Sequence, residues 1–169
     1  MKSKGVTAMP KTDYVIEPGK QEIIATTILD APRELVFKAY TDPKLIAKWW
    51  GPRRYEIKIE KFESKPGGSW RMIHVGDDGS EFAFRGVNHD VVEPERICGT
   101  FEYEGVPGHV ALQTATFEAI GNKTKVVAHD VFQSVMDRDG MVASGMQEGA
   151  DESMERLAEL LEQMKTGRS

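Results

Sequence analysis

Four histidines are the side chains of this 169-residue sequence that could ligate a metal or move protons near neutral pH. His74, His89, His109 and His129 lie on four different predicted strands or turns, with no HxH or HExxH spacing. Metal sites need several converging ligands, so no metal is expected. His74 differs from the others because alternation turns its ring inward, where an imidazole could act as a general base. The competing interpretation is a partly satisfied core histidine.

Four polar residues fall on positions that the same alternation turns inward: Asn88, Asp90, Gln113 and Asp130. Buried polar groups need partners, so these side chains could orient a carbonyl or hydroxyl group of a ligand. Alternatively, they lie at wet strand ends beyond the helix. The two aspartates are the weaker candidates because a buried charge is expensive.

Several classes of function are disfavoured by what the sequence lacks. It has no nucleophile elbow, phosphate-binding loop or dinucleotide fingerprint, so no cofactor is expected and catalytic residues stay unknown. The net charge of −5 and the scattered Lys and Arg residues argue against nucleic acid. No stretch approaches ~18 apolar residues, so membrane insertion is not expected. No apolar segment follows the basic start, so the cytoplasm is the expected location.

These candidate residues depend on a predicted antiparallel sheet. Residues 22–29 are rich in β-branched side chains, and period-two segments follow at 54–62, 68–75, 81–92, 96–103, 110–119 and 124–132. Turns rich in Gly and Pro separate them at a regular spacing, which indicates a meander of hairpins. Between the first two strands, Asp30-Ala31-Pro32 and Asp42-Pro43 each predict a short helix with an aspartate N-cap.

The ends of the chain differ in character. Residues 1–20 are polar and carry Pro10, Pro18 and Gly19, which predicts a flexible arm with a candidate edge strand at Tyr14-Val15-Ile16. Residues 21–166 are expected to form one domain. The last segment predicts one long helix starting near Ser134, whose spacing to Asp137 resembles a capping box. The expected class is α+β, with about seven strands wrapped around that helix.

Turn positions predict which inward residues face each other. A two-residue turn at Pro94-Glu95 would place Asn88 opposite Phe101 and Asp90 opposite Gly99. The hairpin before it aligns its inward residues only if the turn at 76–79 holds an extra residue. A turn at Gly121-Asn122 gives three pairs: Phe117 with Val126, Ala115 with Ala128, and Gln113 with Asp130.

Small residues recur on both predicted walls. Gly99, Ala115 and Ala128 form a row on the sheet, and Gly145 and Gly149 lie four apart on the facing helix. A packed core would fill that space with large side chains, because empty volume costs about 24 cal/mol per Å³. The favoured interpretation is a ligand cavity, and the alternative is close packing of the helix on the sheet.

The candidate pocket lining combines inward sheet positions, the end of the second short helix and the facing helix. It consists of Trp50, Trp70, Met72, His74, Phe84, Asn88, Phe101, Tyr103, Gln113, Met146 and Gly149. Trp49 and Trp50 could close the mouth of the pocket, or one of them could anchor the short helix to the core.

Several segments, in order, resemble one protein family. They are DAPRELVFKAYTDP, WWGP, PGGSWRM, FRGV, VVEPERI and ASGMQEGADESMERLAELL. From about Glu22 to Met164, the chain is similar to the branch of the START-like (SRPBCC, helix-grip) superfamily related to activators of the heat-shock-protein-90 ATPase. The resemblance implies a cavity between sheet and helix, and relatives that bind lipids, polyketides or other hydrophobic ligands. Two departures are Gly149-Ala150, where many relatives read Gly-Trp, and His74, where relatives often carry an apolar residue.

Three functions remain open, since this fold hosts unrelated activities. The favoured one is a non-catalytic binder or carrier of a small hydrophobic or partly polar molecule, with a homodimer left open. The second is a cyclase-, aromatase- or hydrolase-like enzyme using His74 with Asn88 or Gln113. The third is a chaperone-associated interaction module, which is disfavoured because the eukaryotic activators use an additional N-terminal domain for which this sequence leaves no room.

Overall fold

An eight-stranded antiparallel sheet forms the frame of the structure, a computed structural model that describes residues 9–167. Its spatial order is β1-β2-β8-β7-β6-β5-β4-β3, so β1 and β3 are the edges. The α+β class is therefore confirmed. The strands are β1 (Thr12–Val15), β2 (Glu22–Leu29), β3 (Glu56–Phe62), β4 (Ser69–Val75), β5 (Glu81–Val92), β6 (Arg96–Tyr103), β7 (Val110–Ile120) and β8 (Lys123–Val131).

Two short helices, α1 (Arg33–Thr41) and α2 (Pro43–Ile46), connect β2 to β3. Asp42 caps α2 as expected, because its carboxylate accepts a hydrogen bond of 2.9 Å from the Lys44 backbone N–H. The expected Asp30 cap of α1 is wrong. Pro32 is the N-cap there and has no side-chain cap bond. The Asp30 carboxylate lies instead 3.7 Å from Lys165 Nζ near the C-terminus.

The N-terminal edge strand starts two residues earlier than the candidate segment at 14–16. It pairs with β2 along its whole length, from Thr12 opposite Thr27 to Val15 opposite Ile24. Tyr14 therefore faces the same side of the sheet as its partner Ala25. Residues 1–8 of the predicted arm lie outside the described residues.

The tightest packing lies at one end of the inner face, the side of the sheet that carries the helices. Leu29, Phe117 and Val126 are buried there beneath α1, and Phe37 meets the Phe117 ring edge-on at 5.5 Å. The C-terminal half of the last helix adds its own buried leucines to this cluster: Leu157, Leu160 and Leu161. Each such leucine contributes roughly 1.5–3 kcal/mol by burial, so this end anchors the helix.

The predicted single C-terminal helix is wrong in one respect, since it is two helices: α3 (Val135–Ala143) and α4 (Met146–Lys165). Gly145 separates them with a backbone φ of +83°, in the left-handed region that a continuing helix cannot use. Ser134 is the N-cap of α3 and accepts from the Asp137 N–H at 3.0 Å, as expected. The capping box is not completed, because the Asp137 carboxylate bonds to His109 Nδ1 at 2.8 Å. None of the helices within residues 9–167 is long and apolar enough to cross a bilayer.

A buried arginine fixes α3 to the edge of the sheet. Arg138 is 2% exposed, and its guanidinium donates to the backbone carbonyls of Glu17 at 2.8 Å and Glu22 at 3.2 Å. A third bond joins it to the Asp139 carboxylate at 2.9 Å. Because α3 is tied to the start of β2, the position of the Gly145 break relative to the sheet is also fixed.

Two of the three predicted strand registers are confirmed. The Gly121 turn pairs Gln113 with Asp130 and Ala115 with Ala128. The β4–β5 turn has five residues, 76–80, because the last pair of the ladder is Val75 with Glu81. This is the extra residue that was needed to place the inward residues of β4 and β5 opposite each other. Both hairpins have turns whose length the glycines in the sequence reveal.

The register after Pro94 is wrong. Asn88 pairs with Gly99 rather than Phe101, and Asp90 pairs with Cys98 rather than Gly99. The turn holds three residues rather than two, because the ladder closes at Val92 and Arg96, and a bulge between Asn88 and Asp90 shifts the pairing by one further residue. The extra residue of this bulge reverses the alternation, so Asp90 faces outward and its carboxylate pairs with Arg96. Gly99 is also explained, since an added Cβ would lie 2.6 Å from the Val87 carbonyl oxygen.

The two glycines near the start of α4 give a matched pair of stability predictions. Gly145→Ala should destabilise the fold by about 1–2 kcal/mol, because alanine is strained at a positive φ. Gly149→Ala should stabilise it by up to about 1 kcal/mol, because this position is helical and an added Cβ meets only Pro52, at 3.6 Å. Thermal melts should show shifts of opposite sign, and equal signs would contradict the assignment.

Candidate functional site

The N-terminal half of α4 is held by polar contacts on its two sides. On the β1 side, Tyr14 Oη donates to the Asp151 carboxylate at 2.8 Å and lies 3.4 Å from the Gln147 carbonyl oxygen. Burial and the neighbouring Asp151 carboxylate raise the pKa of Tyr14, so the phenol keeps its proton. This half of the helix is thereby tied to the edge of the sheet.

On the other side, the segment after α2 bonds to α4. The Gly51 N–H donates to Ser153 Oγ at 2.8 Å, and the Arg53 N–H donates to the Glu152 carboxylate at 2.7 Å. The Arg53 guanidinium forms a bidentate pair with Glu159 at 2.6 and 3.1 Å. Arg156 completes the set by donating to the Gly51 carbonyl at 2.9 Å. The segment from Trp49 to Arg53 therefore holds the helix in place and is called the WWGP clamp.

Between these two attachments, the centre of the inner face is only partly covered. Ser153 of α4 is buried beneath the clamp, and all buried apolar residues of this helix lie at Leu157 or beyond, in its C-terminal half. A row of alanines continues from Tyr14 across the neighbouring strands: Ala25, Ala128 and Ala115. They face the helix but are only half-buried. Ile97 continues the row on β6 and is likewise half-buried. Solvent therefore reaches apolar side chains on this face.

Asp130 and Gln113 form the polar neighbour of the alanine row. They pair across β7 and β8, and Ile23 and Gly99 flank them on the adjoining strands. Burial raises the pKa of the Asp130 carboxyl to about 6, and the Gln113 side chain and the charge of His129 partly offset that rise. Within residues 9–167, no Lys, Arg or His side chain forms an ion pair with this carboxylate.

Asn88 is committed to the protein itself. Its Nδ2 donates to the Glu63 carbonyl at 2.8 Å, and its backbone exchanges hydrogen bonds of 2.8 Å with Gly67 and Gly68. The bulge that follows Asn88 is thereby bonded to the β3–β4 loop. This geometry gives Asn88 a structural bonding partner, whereas Gln113 faces the half-covered part of the inner face.

A continuous group of aromatic rings forms the other side of the inner face. Trp50 from the end of α2 meets Phe84 at 5.3 Å between centroids, and Phe84 stacks on Phe101 at 5.6 Å. Trp70 and Tyr103 extend the group, at 6.2 Å from Phe101 and 5.2 Å from Phe84 respectively. All of these rings are half-buried, so they combine apolar area with access to solvent.

His74 lies at the buried edge of this aromatic group. Its ring stacks on Tyr55 at 5.4 Å and contacts Trp50 at 4.7 Å. Its Nε2 is buried and finds no hydrogen-bond partner among residues 9–167. Burial, and then the positive charges of Arg156 and Arg54, lower the pKa of His74 to about 4. The imidazole is therefore neutral at physiological pH, as in a packed core position.

Gly51 explains how the WWGP segment accommodates that ring. Its φ is +88°, and an added Cβ would lie 2.5 Å from two atoms of the His74 imidazole. The sequence suggested two roles for the tryptophans before Gly51, which were anchoring the short helix and closing the mouth of the pocket. Trp49 is buried and its indole N–H donates to the Ala39 carbonyl at 3.0 Å, whereas Trp50 is half-buried beside the aromatic group.

The structure brings together six of the predicted pocket-lining residues: Trp50, Trp70, His74, Phe84, Phe101 and Tyr103. Met72 is buried in the main core, and Met146 packs against the small cluster of Ile23, Ala111 and Phe132. Gly149 faces Pro52 of the clamp rather than the sheet.

Sequence reasoning missed Tyr14, Tyr55 and Ala25. Period-two alternation of Thr12, Tyr14 and Ile16 was the available signal for Tyr14, because it places all three on one face. Ala25 is the smallest residue of the EIIATTIL strand and shares the inward face of Ile23. Tyr55 lies just before β3, and its signal was the period-two alternation of Tyr55, Ile57 and Ile59 in the predicted segment 54–62.

The outer face also carries a concavity, an open depression of about 400 Å³. It is lined partly by Arg71 and Arg85, and these arginines are already paired with Glu104 and Glu102 at 2.7 Å. Trp70, Val87 and Val110 give the depression apolar walls, but it is open to solvent and does not enclose a small molecule. The half-covered inner face is therefore the better candidate.

An open antiparallel sheet with a C-terminal helix held over its inner face defines a START-like domain. The sequence matches the family described as "Activator of Hsp90 ATPase homolog 1-like protein" over residues 30–162, and the chain belongs to that family.

Three solved structures illustrate the likeness. Protein Ms6760 from Mycobacterium smegmatis has 22% identity and a TM-score of 0.81, with 89% of this chain and 96% of that chain covered. A protein from Arthrobacter aurescens has 22% identity and a TM-score of 0.82, with 89% and 91% covered. Protein CV1439 from Chromobacterium violaceum has 26% identity and a TM-score of 0.75, with 84% and 97% covered. Among curated proteins, none matches this chain.

His74 should make the fold sensitive to acid. Its pKa falls from 6.5 to about 4 on folding, so protonation favours the unfolded chain as the pH drops from 6.5 to 4. Between pH 6.5 and pH 4 the free energy of unfolding of the parent protein should therefore fall by about 3 kcal/mol more than that of His74→Leu. Urea unfolding at both pH values measures the difference, and His89→Gln on an exposed outer position serves as the control. Parallel losses in parent and His74→Leu would contradict the assignment.

Asp130 should act in the opposite direction. Its pKa rises from 3.8 to about 6 on folding, so its ionisation favours the unfolded chain as the pH rises through that range. Asp130→Asn should therefore stabilise the protein by about 1–3 kcal/mol at pH 7.5 and have little effect at pH 3.5. The same urea series measures this, and a loss of stability at pH 7.5 would show that the carboxylate has a stabilising partner.

Proposed function

We propose that this protein binds a small, largely apolar molecule between the inner face of its sheet and the N-terminal half of α4. The observation that carries the proposal is the half-buried alanine row beneath a helix segment that is attached only at its two sides. Removing apolar surface from water is favourable by about 25 cal/mol of free energy per Å². A ligand in this position would supply that cover.

The chemistry of the surrounding side chains supports a ligand of mixed character. Aromatic rings at Phe84, Phe101 and Tyr103 offer large flat contacts, which favour a ring or an unsaturated body. Gln113 and Asp130 supply a few polar atoms between these rings and the alanine row. Many small-molecule sites combine apolar walls with a small number of such polar groups.

Family and fold are consistent with this proposal, although a shared fold does not fix a ligand. The enzyme alternative depended on His74 as a general base. Its ring is enclosed by Trp50, Tyr55 and the Gly51 backbone, which does not favour proton transfer to a ligand. No contact of the described residues favours the chaperone-associated alternative. Binding without catalysis is the function proposed here.

Filling the alanine row should abolish binding of a neutral apolar dye. Nile red fluorescence should rise on addition of the parent protein, and Ala115→Leu should weaken that binding by at least about tenfold by occupying the space. Thr116→Leu is the matched control, because Thr116 is the next residue of β7 and is exposed on the outer face. Native mass spectrometry of the purified parent protein would reveal a molecule retained from the expressing cell.

Two results would contradict the proposal. If the parent protein did not bind Nile red, the proposed apolar binding site would be contradicted. A destabilisation of roughly 1–3 kcal/mol in Ala115→Leu, without any change in dye binding, would show that the helix packs directly on the alanine row.

A further inference from the structure

We infer that the Asp130 and Gln113 side chains receive a protonated amine of the ligand, whose apolar body covers the alanine row. The inference rests on the proposed function and names the chemical group at the polar end of that ligand. Asp130 and Gln113 are direct neighbours across β8 and β7, and both face the half-covered part of the sheet.

The carboxylate of Asp130 has polar and apolar neighbours, but none of residues 9–167 supplies a counter-ion. Ile23 flanks it on β2 and is buried by residues of α3 and the start of α4, including Met141, Val142 and Met146. His129 lowers the pKa of Asp130 through its charge, but it projects from the opposite face, where Nε2 bonds to Glu22 at 2.7 Å. The positive charge expected beside a buried carboxylate is therefore not supplied by these residues.

The other titratable groups bordering the alanine row are already paired. Tyr14 stands at the end of the row and donates to Asp151 of α4. This pair cannot neutralise Asp130, because a phenol is neutral and Asp151 carries the same charge. The nearest part of α4 thus adds no cation to the site.

A protonated amine fits this arrangement better than other polar groups. An ionised carboxylate is acceptor-only, and an ammonium group offers three N–H donors together with the missing charge. Gln113 can contribute its amide oxygen as a second acceptor. A hydroxyl would satisfy one acceptor and leave the charge uncompensated, and an anionic group would be repelled.

The spacing of the site sets the shape of the ligand. Ala128 and Ala115 lie two residues from Asp130 and Gln113 on the same face, which is roughly 7 Å along the strands. Phe101 pairs with Ala111 and therefore lies on the other side of the polar pair, two strands from Asp130 and roughly 12 Å away by usual strand geometry. A ligand body over the alanine row therefore carries its amine on a short linker that reaches Asp130 and Gln113.

Two fluorescent probes that differ only at the amine test the inference. Dansylcadaverine carries a protonated primary amine on a five-carbon linker, and its N-acetyl derivative is neutral. At pH 7.5 the parent protein should bind the amine at least about tenfold more tightly, the scale of one charge-assisted hydrogen-bonded contact. Asp130→Asn should remove the preference by weakening amine binding, and it should leave binding of the acetylated probe unchanged.

Glu118→Gln is the matched control for net charge. Glu118 is exposed on β7 opposite Lys125, on the outer face, so its loss should leave the preference intact. The parent protein alone gives a second readout. Between pH 8 and pH 5 the preference for the amine should fall as the Asp130 carboxyl, whose pKa is about 6, takes up its proton.

The outcomes separate the two proposals. Equal affinity for both probes, or a preference that Asp130→Asn retains, would overturn the amine assignment and leave the proposed binding function in place. A preference that stays constant from pH 8 to pH 5 would also overturn it, even if Asp130→Asn failed to fold. Binding of neither probe, together with no Nile red binding, would overturn the proposed function itself.

Discussion

The attachment of α4 by polar bonds at two places is the constraint on which the rest of the structure depends. An apolar stripe along the whole helix would draw it onto the sheet and close the inner face. Instead, the buried leucines are confined to the C-terminal half, and Tyr14 and the WWGP clamp position the N-terminal half. The surface pairs in the clamp are worth about 0–1 kcal/mol each, since Arg53 and Glu159 are both nearly half exposed. They fix geometry more than they add stability.

The break at Gly145 serves the same arrangement. The left-handed residue lets α3 pack on Ile23 and Phe132 while α4 takes its own direction. Ile23, the neighbour of Asp130, is covered as a result, which explains why burial dominates the pKa of that carboxyl.

The parts of the fold that were predictable are those encoded locally. Hairpins with a glycine-marked turn gave the β7–β8 register residue by residue, because turn length alone fixes the pairing. The β5 bulge has no such mark. It depends on hydrogen bonds between Asn88 and the distant β3–β4 loop, and Gly99 was interpreted as free space although the bulged strand occupies it. Gly145 looked equally compatible with a helix interior, because tertiary contacts decide its φ.

The candidate site likewise combines residues that local sequence predicts with residues that only tertiary contacts reveal. Alternation identified the aromatic rings of Phe84, Phe101 and Tyr103, because each hairpin preserves the inward face over several residues. Tyr14 and Ala25 were missed, since their role appears only when β1 is paired and α4 is placed above it. A long-range bond from a short strand to a helix has no signature in the neighbouring sequence.

His74 and Asp130 show why burial alone does not distinguish a structural residue from a functional one. Both are desolvated, and each shifts its pKa in the direction that disfavours its charge. His74 stays neutral at physiological pH among rings that enclose it, so its burial is compatible with a stable core. Asp130 is largely ionised there, on a half-covered face where none of residues 9–167 places a cation beside it. Asparagine has nearly the same shape and would avoid that cost, so a carboxylate at position 130 is best explained by the charge it offers to a partner.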